Sequence, residues 1–394
     1  MSLENTDPSE FMVTDQKQFQ EVCKELKAAG AFGFDTEFIR ERSYEPQLCL
    51  VQAATPNMVA LIDPFEVDVG EFWELVADKN IRKIVHAGSQ DLEMCYLHIN
   101  RPGANIFDVQ IAAGMVGLGY PMSYGKLVHG LLGKKILQDK SYSEWSRRPL
   151  SAGQLNYATE DVLYLDEIYT KLTKRLKKLG RTTWIREEMG SLESSETFEC
   201  NPRERWRKVQ GWQRLTRSKL GVLRELAAWR EEGARRYDVP PRTFLKDQVL
   251  TSLARQMPNG MKALRSTKGF PRPLAEDEGR AVLDLIAIGR NVPEADLPDP
   301  IQPKDDSPVD KMLQDLVSAT GQSICLAEDL CHSLFASRSH YAALVSALRY
   351  GIPKPSTLKL LTGWRKKFAG DQLNEMLIGE RTITVANKSG LELD

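Results

Sequence analysis

The run FGFDTEF, residues 32–38, decides how the first half of the chain is read. Its residues alternate as in a β-strand. Phe32, Phe34, Thr36 and Phe38 share one face, and Asp35 and Glu37 share the other. Two carboxylates on one strand face are either the wet side of an antiparallel sheet or a site. If that face is partly buried, each charge disfavours ionisation of the other, and a divalent cation between hard oxygen ligands removes the penalty. The strand alone leaves both readings open.

Outward from this run, strand and helix signals alternate over the first 180 residues. EFMVTD (10–15) reads as a strand and 15–29 as a helix closed by Gly30. With AFGFDTEF (31–38), the runs LCLVQAA (48–54) and MVALIDP (58–64) suggest a small antiparallel set. A helix near 69–77, the strand KIVHAG (83–88) and a helix near 90–98 follow. Further helices are expected near 107–116, 123–132 and, as one long element, 151–179. Strands mixed with helices indicate an α/β sheet with helical cover. After about residue 190 the β signals stop. The small, polar stretch at 190–204 reads as a linker, and the acidic stretch at 291–310, with five prolines, as a second. Helical segments fill 206–292 and 309–380. The chain is thus expected to hold three domains, at 1–195, 206–295 and 308–385.

Composition bounds the function class. The chain has 394 residues, 42% hydrophobic and 27% charged, which suits a folded globular protein. It has no apolar run long enough to span a bilayer and no signal-peptide pattern at the start. Six scattered cysteines without a CxxC suggest reduced thiols and a cytoplasmic home. The net charge of −1 hides an asymmetry. Residues 1–150 hold 15 Lys+Arg against 21 Asp+Glu, whereas 201–272 hold 18 against 6. Such a basic segment is either a nucleic-acid contact or a solvated helical surface. The five histidines lack zinc-ligand spacing, and Cys325, Cys331 and His332 read as packing residues.

Two further acids are placed by pattern. Asp91, in SQDLEMCYLHI (89–99), falls in a first helical turn after a strand, where it complements the helix dipole or aims out of the sheet's end. Asp161 lies in the helix at 151–179, beside the stripe of Leu155, Ala158, Val162 and Leu165. Tyr157 and Tyr164 share its flank at spacings of four and three, so Asp161 points toward the protein body.

An Asp-x-Glu on a strand, an Asp at a strand–helix junction and a Tyr-x-x-x-Asp on a late helix resemble the DEDD superfamily of 3′→5′ exonucleases. Within it, the match is to the tyrosine subclass and the ribonuclease D family. The segments carrying the resemblance are DTEF, YEPQLCLVQ (44–52), KIVHAGSQDLE (83–93), FDVQIAA (107–113), EWSRRPL (144–150) and YATEDVLYL (157–165). Residues 211–241 resemble the start of an HRDC domain, and LLTGWRKKFAGDQLNEML (360–377) resembles the end of a second.

The resemblance implies a ribonuclease H-like α/β exonuclease domain, a mixed sheet with flanking helices, followed by two all-α HRDC domains. It implies two divalent cations, Mg²⁺ or Mn²⁺, held by Asp35, Glu37, Asp91 and Asp161. In that scheme Asp35 bridges both metals, Glu37 and Asp161 hold the one that binds water, and Asp91 acts on the other. Tyr157 positions the attacking water. Asp108 is read as a helix cap rather than a ligand. Phe38, His86 and Arg148 adjoin the motifs and are candidate substrate contacts. So are Arg203, Arg205, Arg207 and Lys208 in the basic segment, whereas Trp212 and Trp229 read as packing residues.

The expected activity is release of nucleoside 5′-monophosphates from RNA 3′ ends, with tRNA precursors and other structured RNAs as partners, no membrane, and a monomeric chain. Two rivals remain at this stage. One is a DNA exonuclease of the proofreading or repair type. The other is a non-catalytic nucleic-acid-binding protein, since HRDC domains also serve helicases as binding units. The chain lacks GxxxxGK[ST] and is not itself a helicase.

Overall fold

The computed structural model describes residues 6–136, 144–199, 201–298, 307–351, 354–386 and 390–394. Cys200, and 299–306 of the second expected linker, lie outside the described residues. The described chain divides into two compact units. One comprises Met1–Ile39, Leu48–Phe198 and Lys304–Asp394, and the other Arg40–Gln47 and Glu199–Pro303.

The first unit is built on six strands, β1 (Met12–Val13), β2 (Ala31–Ile39), β3 (Gln47–Thr55), β4 (Met58–Ile62), β5 (Arg82–Val85) and β6 (Ile106–Asp108). They lie in the order β1-β4-β3-β2-β5-β6. β3 and β4 are antiparallel, while β1–β4, β2–β5 and β5–β6 are parallel, so the sheet is mixed. The β3–β4 pair of the expected antiparallel set is antiparallel, and β2 lies in the middle of a wider sheet. Burial of both faces explains why β3 reads as a nearly continuous apolar run, interrupted by the buried Gln52.

Helices cover the sheet: α1 (Gln16–Ala29), α2 (Gly70–Ala77), α3 (Ser89–Ile99), α4 (Val109–Met115), α5 (Tyr124–Leu132), α6 (Ala152–Leu163), α7 (Leu165–Lys178), α8 (Thr182–Gly190) and the single turn α9 (Ser195–Phe198). Asp15 caps α1 through bonds from the Lys17 and Gln18 amides, and Gly30, at φ 69°, ends it. Phe32 and Phe34 pack against Phe72 of α2, with ring centroids 5.8 and 5.7 Å away.

Several readings of the sequence are corrected. β6 and α4 replace the single helix expected near 107–116, and the linker expected at 190–204 holds helical turns at Ser191–Glu193 and Ser195–Phe198. The expected strand at 10–15 is a short helical turn, Pro8–Phe11, followed by the two residues of β1. The expected single helix at 151–179 is two, because the backbone turns at Tyr164 (φ −106°, ψ 1°). The turn lets Leu165 sit on Gly33. A Cβ on that glycine would lie 2.8 Å from Leu165 Cβ and Cδ1. Gly33, Asp35 and Glu37 share a strand face, so this close approach sets the end of α6, with Asp161, over the carboxylates.

The second unit contains α10 (Arg217–Arg236), α11 (Pro241–Phe244), α12 (Asp247–Gln256), α13 (Met261–Ser266), α14 (Arg272–Asp277) and α15 (Gly279–Arg290), after a 3₁₀ segment at Pro202–Lys208. Trp206 meets Trp212 edge-on at 5.0 Å, and Trp229 meets Phe244 at 5.4 Å. The buried Arg230 pairs with Asp247 at 2.6 Å.

The chain returns to the first unit with α16 (Pro308–Ala327), α17 (His332–Phe335), α18 (Arg338–Tyr350), α19 (Gly363–Arg365) and α20 (Asp371–Leu377), then the hairpin of β7 (Ile383–Ala386) and β8 (Gly390–Leu393). These helices share the core of the nuclease sheet. Trp364 stacks on Trp184 at 5.2 Å, and its indole N–H donates to Glu188 Oε1 at 2.7 Å. The guanidinium of Arg365 is buried against the same carboxylate and donates to the Phe335 and Leu334 carbonyls.

Candidate active site

Asp35 and Glu37 project from one face of β2, and α6 brings Asp161 to them. One carboxylate oxygen from each lies within 4.8 Å of the others. This is the one such set of potential metal ligands among the described residues. Asp35 and Glu37 are half-buried, and Asp161 is buried.

Asp91, in the first turn of α3, is buried beside the cluster. It accepts a hydrogen bond from Thr36 Oγ1 at 2.5 Å. It acts electrostatically on both Asp35 and Glu37 but is not a fourth member of the mutual set. Thr36, expected as part of the packing face, thus has a polar task. The Tyr157 hydroxyl, one turn before Asp161 on α6, donates to the Asp161 carboxylate.

The electrostatics follow from crowding. Burial, then the charges of Asp91, Asp161 and Glu37, hold the Asp35 carboxyl well above the usual carboxylate range. Burial, then Asp161 and Asp91, push Glu37 up to about 9. Burial raises Asp91 to about 6, against the opposing bond from Thr36. Burial, then Asp161 and the two β2 carboxylates, raise the Tyr157 phenol. Every influence recorded on Glu37 disfavours its charge. Hard oxygen donors under that strain fit a divalent cation, which relieves the repulsion directly.

Tyr124, which the sequence reading did not single out, also belongs to this neighbourhood. It is buried on α5, and Asp161 and Asp35 add to burial in raising its phenol. No local pattern marks it, because α5 reads as an ordinary amphipathic helix.

The other sequence candidates fall differently. His86 lies 2.9 Å from the Met122 carbonyl, with its ring 5.3 Å from that of Tyr124, and burial lowers its pKa. Phe38 is half-buried and packs against the core. Arg148 binds Asp63 through two bonds, at 2.5 and 2.8 Å, and donates to the Cys49 and Trp145 carbonyls, so its guanidinium is engaged within the fold.

In the second unit Arg203 pairs with Glu225, Arg205 with Glu231, and Arg207 with Glu204 while lying over the Trp206 ring. These ion pairs supply a structural reason for the arginine cluster that spacing did not reveal. Lys208 is exposed. Trp212 and Trp229 are core residues, as read. Asp108 caps α4, accepting from the Gln110, Ala87 and Gly88 amides. Cys325 is buried and His332 bonds the Tyr341 hydroxyl, in keeping with packing roles. The described cysteines are free thiols, and no helix among the described residues is long and apolar enough to cross a membrane.

A mixed sheet carrying a strand-borne carboxylate pair, completed by an acid from a late helix, defines a nuclease of the 3′→5′ exonuclease class. The 3′-5′ exonuclease family matches residues 11–177, and the HRDC domain family matches residues 219–286. The chain is 33% identical to the ribonuclease D of Granulibacter bethesdensis over 97% of this chain and 96% of the relative. It is 34% identical to that of Gluconacetobacter diazotrophicus over 96% and 95%. The crystal structure of Escherichia coli RNase D, an exoribonuclease involved in structured RNA processing, matches with a TM-score of 0.80 and 28% identity. The match covers 93% of this chain and 98% of that one.

The chain belongs to the ribonuclease D family and is a 3′→5′ exoribonuclease with an HRDC domain. RNA is its substrate, and its family works with divalent metal ions.

Proposed function

We propose that Asp35, Glu37 and Asp161, with Asp91 beside them, hold two divalent cations, Mg²⁺ or Mn²⁺, at which the RNA 3′ end is hydrolysed. The observation that carries this is the convergence of the first three carboxylates within 4.8 Å at a half-buried strand face. When bound, such ions neutralise charge on the phosphoryl oxygens, assist the departing 3′ oxygen and ease ionisation of water. Tyr157 orients the attacking water, and its raised pKa suits an orienting hydroxyl rather than a base. The enzyme belongs on this reading to the tyrosine subclass. Thr36 fixes the Asp91 carboxylate by its hydrogen bond.

The natural substrates are tRNA precursors and other structured RNA 3′ ends, met in the cytoplasm by a monomer. By likeness the chain is read as 1–195, 206–295 and 308–385, the last a second HRDC copy whose core is continuous with that of the nuclease. Phe38 and His86 contact the terminal nucleotides, and Arg148 supports them by bracing the segment before α6. Arg203, Arg205, Arg207 and Lys208 contribute positive potential along the RNA.

A tRNA precursor with a labelled 3′ trailer, and a DNA of matched sequence, test this reading with wild type and Asp161→Ala in Mg²⁺ and Mn²⁺. The expected result is release of labelled nucleoside 5′-monophosphate from RNA by wild type alone. Equal release by Asp161→Ala would overturn the site, and faster release from DNA would overturn the substrate.

A further inference from the structure

A second concave site lies in the first unit, away from the carboxylates. The cavity is about 400 Å³, within the roughly 300–1,000 Å³ of small-molecule sites. Arg82 is in its lining and opens β5, in register with Ala31, the first residue of β2. Asp35 lies four residues further along β2, about 13 Å at the rise of a strand. Asp91 follows the opposite end of β5. The cavity therefore occupies the end of the sheet away from the metal site.

The lining has two characters. Its wall is apolar and aromatic, with Phe107, Leu176, Ile185 and Met189 beside Tyr169, whose ring meets Phe107 edge-on at 4.8 Å. Its rim is cationic, carrying Lys79, Arg82 and Arg186. Arg82 lies over the Tyr169 ring, with its guanidinium carbon 5.9 Å from the centroid. Lys79 and Arg186 are exposed. One carboxylate, Glu193, lines the cavity, and it is held by the Ile106 amide at 2.7 Å.

We propose that this cavity binds a nucleoside 5′-monophosphate, with the base against Tyr169 and the apolar wall and the phosphate among Lys79, Arg82 and Arg186. An apolar wall would hold a ring but not an ion, and three cations would hold a phosphate but not a bare nucleoside. The enzyme's own reaction supplies a ligand that joins the two. The cavity thus offers a place where product is held without occupying the site of hydrolysis.

Isothermal titration of adenosine 5′-monophosphate into the full-length, chelator-treated protein tests the proposal, because it needs no metal and no turnover. One nucleotide per chain is expected, with adenosine and inorganic phosphate each bound at least about tenfold more weakly. Lys79→Glu combined with Arg186→Glu reverses two exposed charges. It is expected to weaken nucleotide binding at least about tenfold while leaving initial rates of RNA degradation unchanged. Absence of saturable binding, phosphate binding as tight as the nucleotide's, or unchanged affinity in the charge-reversed protein would each overturn the proposal.

Discussion

Thr36 and Tyr157 show how neighbouring side chains discipline the carboxylates. Thr36 on β2 bonds Asp91 on α3, and Tyr157 reaches one helical turn to Asp161. Outer partners of metal-binding groups typically contribute 10–100-fold. Thr36→Val and Tyr157→Phe are therefore expected to lower kcat by about 10–100-fold each with the Tm little changed, measured on a single-stranded RNA at saturating metal. A fall in Tm without loss of kcat would assign both residues to packing.

The same crowding predicts a pH dependence. Glu37 is raised to about 9 and Asp91 to about 6 in the folded chain, above their unfolded values. Their contribution is fully present below the unfolded pKa and is lost as pH rises through the folded one. The Tm of chelator-treated protein should therefore fall between about pH 5 and pH 9, through these groups. Added Mg²⁺ should restore more stability at pH 8 than at pH 6. A metal-free Tm that responds to pH identically in wild type and Glu37→Gln would contradict this.

At the scale of elements, the position of Asp161 depends on the contact of Leu165 with Gly33. Gly33→Ala places a Cβ 2.8 Å from two Leu165 carbons, in a packed strand that cannot yield. Overpacking of this kind costs roughly 1–3 kcal/mol. Chemical denaturation should register that loss, and activity should fall further than stability, since the displaced helix carries Asp161.

Much of this layout was legible beforehand. The end of α1 followed from Gly30, the helical cap from Asp108, and the shared strand face of Asp35 and Glu37 from strand alternation. The break at Tyr164 was not, because the apolar stripe continues through it and only the contact at Gly33 demands the turn. β6 was absorbed into a helix because three residues carry no period of their own. The Thr36 bond and the Tyr124 neighbourhood depend on elements distant in sequence, which no local pattern reports.

At the scale of the whole molecule, the described residues form two separate hydrophobic cores. One spans the sheet and the C-terminal helices, and the other lies within residues 206–286. A chain with two cores need not unfold in one step. Calorimetry should resolve two transitions. Glu188→Ala, which strands the buried Arg365, should lower the first unit's by about 3–5 kcal/mol in stability and leave the other in place. The sequence separated residues 308–385 by their proline-rich approach. Their union with the nuclease core depends on Trp184, Glu188, Trp364 and Arg365, whose partnership spacing alone does not disclose.

Counting the Mn²⁺ bound by full-length wild type and Asp35→Asn, alongside single-turnover rates on a 5′-labelled RNA, shows whether the carboxylates of β2 and α6 bind the ions that make this chain a nuclease. The variant is expected to lose high-affinity Mn²⁺ and to slow by at least ~10³-fold, roughly 4 kcal/mol of barrier. Unchanged Mn²⁺ binding together with a wild-type rate would place the ions elsewhere.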